Sequence, residues 1–351
     1  MGSTRSPSAC TGFDQKAVLT PTVLARRVCT AAGMLVLVML AALCIGTQRI
    51  SMYKAIFGLD GPDRQILLQV RMPRVMIGGI VGAGLAGAGV VCQVLLNNPL
   101  ADPYLLGVSS GAGLGAVLAT LCGLGWTVIG ISWIGIAAFA GALLALALVW
   151  WLGKLVTGLG QPGLILAGVV VNATISASIM ILVALARSDQ VYSTLFWLIG
   201  NVSEEGIAVV WLAGLVVLVC LTALFVCSSR LNLFCFGQQQ ARLMGVHTER
   251  IQLIAFGLAG LMTATAVALA GLVGFVGLVV PHAVRLILGP DCRQLLPMSA
   301  IIGAAFMVVC DAFCRVIVAP AQLPVGVATA LVGGPVFMVL LLRGARQVRP
   351  V

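Results

Sequence analysis

Apolar stretches of close to membrane-spanning length recur along this 351-residue chain, each parted from the next by a short polar break. They fall near residues 29–48, 75–96, 104–122, 126–152, 163–187, 207–227, 251–270, 279–289, 296–316 and 326–342. A helix needs ~20 residues to cross ~30 Å of hydrocarbon, and most of the runs meet that length. Hydrophobic residues make up 61% of the chain and charged residues 9%, where an ordinary soluble domain carries roughly a quarter charged. Polar residues this scarce could not cover a soluble fold, so lipid is the solvent for most of the chain. The expectation is an all-α, polytopic membrane protein of about ten transmembrane helices. The eighth is short, and the Gly-rich stretch Gly271 to Gly277 before it predicts a bend or break.

Residues 1–28 are polar, carry Arg5, Lys16, Arg26 and Arg27, and read as a cytoplasmic extension ahead of a membrane domain spanning 29–345. The first apolar run is too long for a cleaved signal. Ten crossings put both termini on one side, and the Lys/Arg bias of the links sets which side. With the N-terminus inside, the cytoplasmic segments hold Lys154, Arg230, Arg242, Arg250, Arg293, Arg343, Arg346 and Arg349 besides the first four. The outer links hold fewer: Arg49, Lys54, Arg64, Arg71, Arg74, Arg187 and Arg315. The chain is thus expected in the cytoplasmic (inner) membrane, multi-pass, with both termini cytoplasmic. Its net charge of +10 is spread through short links rather than clustered on a polar domain, which argues against nucleic acid as a partner. The 42 glycines suit close helix packing in lipid. The 11 cysteines include no C-x-x-C and mostly lie in apolar runs, as small buried hydrophobes.

No phosphate-binding G-x-x-x-x-G-K-[ST] loop occurs, so the chain does not handle ATP in that way by itself. No nucleophile sits beside a base, so no catalytic residue is assigned. His247 and His282 lack spaced metal-ligand partners; no metal site is assigned, and His282 is read as packing or orienting backbone. Asp311 is the one carboxylate well inside an apolar run, with Arg315 one turn on. A local ion pair and a functional intramembrane charge both fit. Arg71 and Arg74 flank Pro73, read as starting a helix, in an unusually basic outer link. Snorkelling to lipid headgroups and reception of an acidic partner protein both fit them.

Several ordered motifs resemble those of the FecCD-type permeases, the membrane subunits of ABC importers for ferric siderophores, haem and vitamin B12. They include Arg71-Met-Pro-Arg-Val, Gly82-Ala-Gly-Leu-Ala-Gly-Ala-Gly, Gln93, Asn98-Pro99-Leu-Ala-Asp102-Pro103 and Leu106-Gly107-Val-Ser-Ser-Gly-Ala. Leu166-Ala-Gly-Val, Trp197-Leu-Ile-Gly and Gly274-Phe-Val-Gly-Leu-Val-Val-Pro281-His282-Ala-Val-Arg285 continue the match. Asp311 with Arg315, Leu323-Pro324-Val-Gly326-Val-Ala-Thr and Gly334-Pro-Val-Phe complete it, over about residues 30–345.

The resemblance implies a type II ABC importer permease fold and an ATP-driven subunit that moves an iron chelate, haem or cobalamin and binds no cofactor itself. ATP belongs to partner ATPase subunits. A second permease copy or a close paralogue completes the path, and an extracytoplasmic substrate-binding protein delivers cargo. Arg71, Arg74 and Arg315 match the arginines that receive that protein. Segment 238–250 matches the region that couples to the ATPase, with Ala241, Arg242, Leu243, Met244 and Gly245 closest and Val246 and His247 added. The fifth and tenth helices line the path in the family. This assigns Asn172, Thr174, Ser176 and Ser178 to it, together with Gln93; the polar stripe on the fifth helix fits helix–helix hydrogen bonding equally well. An ion-gradient-driven carrier is the first rival, and it would depend on Asp311. A membrane enzyme or scaffold is the second.

Overall fold

The computed structural model describes residues 20–48, 50–57, 61–124, 127–128, 131–155, 161–202, 205–319 and 321–347. Most of the 1–28 extension, and Arg49 and Arg349, therefore lie outside the described residues. Among the described residues, seven helices are long and apolar enough to cross a membrane, and three shorter apolar helices bring the set to the ten expected. We number the ten α1 (Pro21–Cys44), α2 (Met72–Leu95), α3 (Val108–Leu121), α4 (Trp133–Leu155), α5 (Gln161–Ala184), α6 (Ile207–Val226), α7 (Thr248–Ala270), α8 (Val276–Leu288), α9 (Cys292–Cys314) and α10 (Val325–Gln347). Strand pairing among the described residues is limited to a two-residue antiparallel ladder, Thr127–Val128 with Ile131–Ser132.

Local chemistry sets the ends. Thr20 caps α1 through its hydroxyl and Pro21 occupies the first turn, so the helix starts eight residues before the expected 29. Asp291 caps α9, accepting from the Arg293 N–H at 3.0 Å. The break between α7 and α8 falls within the Gly-rich stretch, with Gly271 at φ +63° and Phe275 at φ +68°. Pro73 lies in the first turn of α2, as expected, but α2 is not preceded by a loop. The helical run begins at Pro62 and passes through a π-helical segment, Ile66–Arg71, before α2. The wider π turn relieves the clash an interior proline makes with the carbonyl four residues back.

α2 is the most buried span and the axis of the bundle, packed by α6, α7, α8 and α9. Its glycines permit this. A Cβ on Gly82 would collide with the Gly303 carbonyl of α9, and one on Gly89 with the Gly277 carbonyl of α8. Such approaches gain packing between helices where burial from water supplies no drive. Cys92, Cys220, Cys292, Cys310 and Cys314 are buried as expected, whereas Cys29, Cys44 and Cys122 lie exposed on the apolar surface.

Candidate functional site: two end faces and a helix flank

Arg71, Arg74 and Arg315 converge at the end of the bundle where α1 finishes. All three are buried, with relative exposures of 5%, 5% and 4%. Arg74 Nε donates to Asp311 Oδ1 at 3.0 Å and its Nη1 to Gln322 Oε1 at 2.6 Å. Arg315 Nε lies 3.2 Å from Asp311 Oδ2. Asp311 therefore pairs with Arg315, one of the two readings left open, and with Arg74 as well. Arg74 Nη2 is buried with no partner among the described residues, while Arg71 and the Nη atoms of Arg315 cap the end of α1. Arg71 donates to the Leu43 and Gln48 carbonyls, and Arg315 to the Ile45 carbonyl at 3.0 Å and the Ala42 carbonyl at 3.3 Å. Cations there satisfy the orphan carbonyls of a helix C-terminus and oppose its dipole. In this arrangement the partnered donors of the three arginines are turned inward, onto Asp311, Gln322 and the end of α1. Nothing in the local sequence marked Gln322 as a member of the cluster.

The segment between α2 and α3 is built by its own polar side chains. Asn98 Oδ1 accepts from the Leu100 N–H at 3.0 Å, and Pro99 follows inside that turn. Asp102 Oδ1 accepts from the Tyr104 N–H at 2.9 Å, capping a 3-10 turn at Pro103–Leu106. Gly107 ends that turn at φ +75°, a conformation in which a side chain would be strained. Burial pushes the Asp102 carboxyl up to about 6, against the Tyr104 hydrogen bond that lowers it. Tyr104, which sequence reasoning passed over, ties this segment to the α7–α8 break. Its hydroxyl donates to the Val273 carbonyl at 2.9 Å and accepts from the Val273 N–H at 3.0 Å. Pro103 packs on Gly277. Pro281 is buried inside α8, while His282 Nδ1 is buried with no hydrogen-bond partner among the described residues. Pro324 accepts weakly from Cys314 Sγ at 3.9 Å, and the Gly326 N–H donates to the Gly200 carbonyl at 3.1 Å.

The opposite end face carries the 238–250 segment as a short helix, Gln238–Leu243, and a turn. Ala241 is buried and anchors it, and Val246 is partly buried against the core. Leu243 and Met244 stand out at 88% and 57% exposure. Gly245 makes the turn at φ +83°, and His247 leads into α7. Arg242 and Glu249 pair across the turn at 2.9 Å, and Gln238 and Gln252 bond at 3.1 Å. The segment is thus braced from within while presenting two bare apolar side chains.

The polar residues of α5 do not form one stripe. Spaced by two on a helix of 3.6 residues per turn, Asn172 and Ser176 share one line, and Thr174 and Ser178 another nearly opposite. Thr174 and Ser178 return their hydroxyls to the Val170 and Thr174 carbonyls, at 2.9 and 3.0 Å. Asn172 and Ser176 have no hydrogen-bond partner among the described residues, and Ser176 is exposed. Gln93, the other residue assigned to the path, is buried at 1% exposure inside the single chain, donating to the Leu278 carbonyl at 3.2 Å and accepting from Arg285 at 3.4 Å.

Comparison with known proteins bears on the chain as a whole. The model of the FecCD transport family matches residues 34–343. The cobalamin import system permease protein BtuC of Halobacterium salinarum is 38% identical over 287 residues, covering 81% of this chain and 75% of its own. The hemin transport system permease protein HmuU of Yersinia pestis is 35% identical over 285 residues, covering 80% and 84%. A solved chain of a metal-chelate type ABC transporter in an inward-facing conformation superposes with a TM-score of 0.81 at 30% identity, over 91% of this chain and 99% of that one.

Proposed function

The chain belongs to the FecCD transport family and is a membrane-spanning permease subunit of an ABC importer, a transport subunit whose ATPase is a separate chain; on that premise we propose that its cargo is a ferric siderophore or related iron chelate, with haem and cobalamin as the neighbouring chemistries. Relatives named for cobalamin, hemin and metal chelates support a bulky metal complex as the cargo class.

The observation that carries the mechanism is the bare Leu243–Met244 ridge on a braced turn. On this reading the ridge sits in a cleft of the ATPase on the cytoplasmic side, and nucleotide-driven closure moves the whole Gln238–Leu243 helix. Its internal ion pair and buried Ala241 let it transmit force rather than absorb it. A second permease copy faces the Asn172–Ser176 line of α5, and the cargo passes between the copies. An extracytoplasmic binding protein docks at the end face that Arg71, Arg74 and Arg315 hold in shape; direct pairing with that protein's carboxylates requires these guanidinium groups to give up the α1 carbonyls.

Proteoliposomes holding the chain with its genomic ATPase neighbour and binding protein test the reading. Uptake of a ferric chelate that stops with a hydrolysis-dead ATPase supports it. Uptake driven by an ion gradient without the ATPase overturns it.

A further inference from the structure

The break between α7 and α8 is clamped from several sides. Tyr104 takes both backbone groups of Val273. A Cβ on Gly271 would collide with the Trp197 carbonyl, one on Gly200 with the Leu272 carbonyl, and Pro103 packs on Gly277. Inside this clamp Phe275 stands at φ +68°, and among the described residues Asn97 is the only other non-glycine with a positive φ. A bulky side chain resists that conformation, which glycine adopts freely. Gly271, Gly274 and Gly277 surround the position, yet 275 is phenylalanine. Such strain persists where the surroundings over-determine it, and it gathers at positions that work. What a glycine here would lack is the ring.

The ring lies on α10. A Cβ on Gly333 would stand 2.5 Å from Phe275 Cβ and 2.9 Å from its Cγ, and one on Gly334 would stand 4.0 Å from Cζ. Pro335 follows inside the same helix. Having no N–H, Pro335 removes the bond that the Leu331 carbonyl would accept, and the two glycines loosen the same turn. The start of α10 is anchored: Val325 and Thr329 are fully buried, and the Gly326 N–H holds the Gly200 carbonyl at 3.1 Å. Beyond Pro335, Val336, Met338, Val339 and Leu342 are exposed. The helix is therefore fixed at one end, weakened in the middle, and touched by a strained aromatic ring at the weak point.

With cargo passing between two copies and α10 beside its path, a reading on which this role rests, we propose that Phe275 is a positioning residue for transport. The clamped break holds its ring against Gly333, and α10 pivots on that ring at Gly333–Gly334–Pro335.

Two measurements test it. Hydrogen exchange of the purified full-length chain in lipid nanodiscs reads the amides of residues 336–340. Proteoliposomes with the ATPase and binding protein read ferric siderophore moved per ATP hydrolysed. Phe275→Ala removes the ring and keeps the strained backbone. It is expected to speed exchange at 336–340 about tenfold and to cut cargo per ATP about fivefold. Phe275→Gly also releases the strain, so it should melt above Phe275→Ala while moving as little cargo per ATP. Gly333→Ala drives a methyl into the ring and is expected to lose coupling by itself, yet to regain it in the Phe275→Gly background, where the methyl has room. Unchanged exchange at 336–340 in Phe275→Ala overturns the proposal. So does cargo per ATP that merely follows melting temperature across these variants, the behaviour of a packing residue. A wild-type chain that moves no ferric siderophore counts against the cargo assignment instead, and the exchange measurement still decides the pivot.

Discussion

Arg74 and Asp311 stand 237 residues apart in the chain and meet at 3.0 Å inside it, joining the start of α2 to the end of α9. Arg315 approaches the other carboxylate oxygen, so one buried anion holds two buried cations in place. Such a cluster adds little net stability over an apolar packing, since desolvation offsets most of the attraction, but breaking it is costly. Asp311→Ala leaves both guanidinium groups unneutralised and is expected to destabilise by about 3–5 kcal/mol. Replacing Arg74, Asp311 and Arg315 together by apolar residues of similar volume should recover much of that loss. Thermal melting in detergent checks both, and a triple variant no better than Asp311→Ala refutes the account.

Tyr104 acts through two hydrogen bonds to one peptide unit. Tyr104→Phe keeps the ring and leaves both backbone groups of Val273 unpaired, which should cost about 1–3 kcal/mol. Faster hydrogen exchange at the Val273 amide is the local signature; unaltered exchange there would show that the bonds are dispensable.

Leu243 and Met244 are too exposed to hold the fold together. Leu243→Asp with Met244→Ser should therefore move the melting temperature little, within ~0.5 kcal/mol, while weakening ATPase co-purification about tenfold or more. Loss of folding with unchanged ATPase association would reverse the assignment.

The raised pKa of Asp102 gives a pH dependence with a fixed sign. In the folded chain the carboxyl titrates at about 6, against about 4 when unfolded. The folded state holds the proton more tightly, so stability falls as pH rises from about 4 to about 6 and then levels. Asp102→Asn keeps an oxygen to cap Tyr104 and should flatten that slope, worth on the order of 2–3 kcal/mol. Melting curves between pH 4 and 7 read it directly.

The positions of the ten helices were legible because lipid asks one question of each segment, whether twenty or so residues are apolar, and that is answered locally. The bend before α8 was legible for a similar reason, since Gly271 adopts a φ that other residues resist. The two faces of α5 were also available from the spacing of Asn172, Thr174, Ser176 and Ser178, because the helical period alone separates them. Family motifs marked Arg71, Arg74, Arg315 and Gln93 but not the direction in which each points.

That direction was settled by the tertiary structure. Arg71 turned inward because the last carbonyls of α1, 28 residues earlier, arrived without partners of their own. Gln93 reaches the Leu278 carbonyl because Gly89 and Gly277 bring α2 and α8 together. Hydropathy is a property of a segment and survives any packing of its neighbours. A hydrogen-bond partner is a property of the packing, and exists only once distant segments have met.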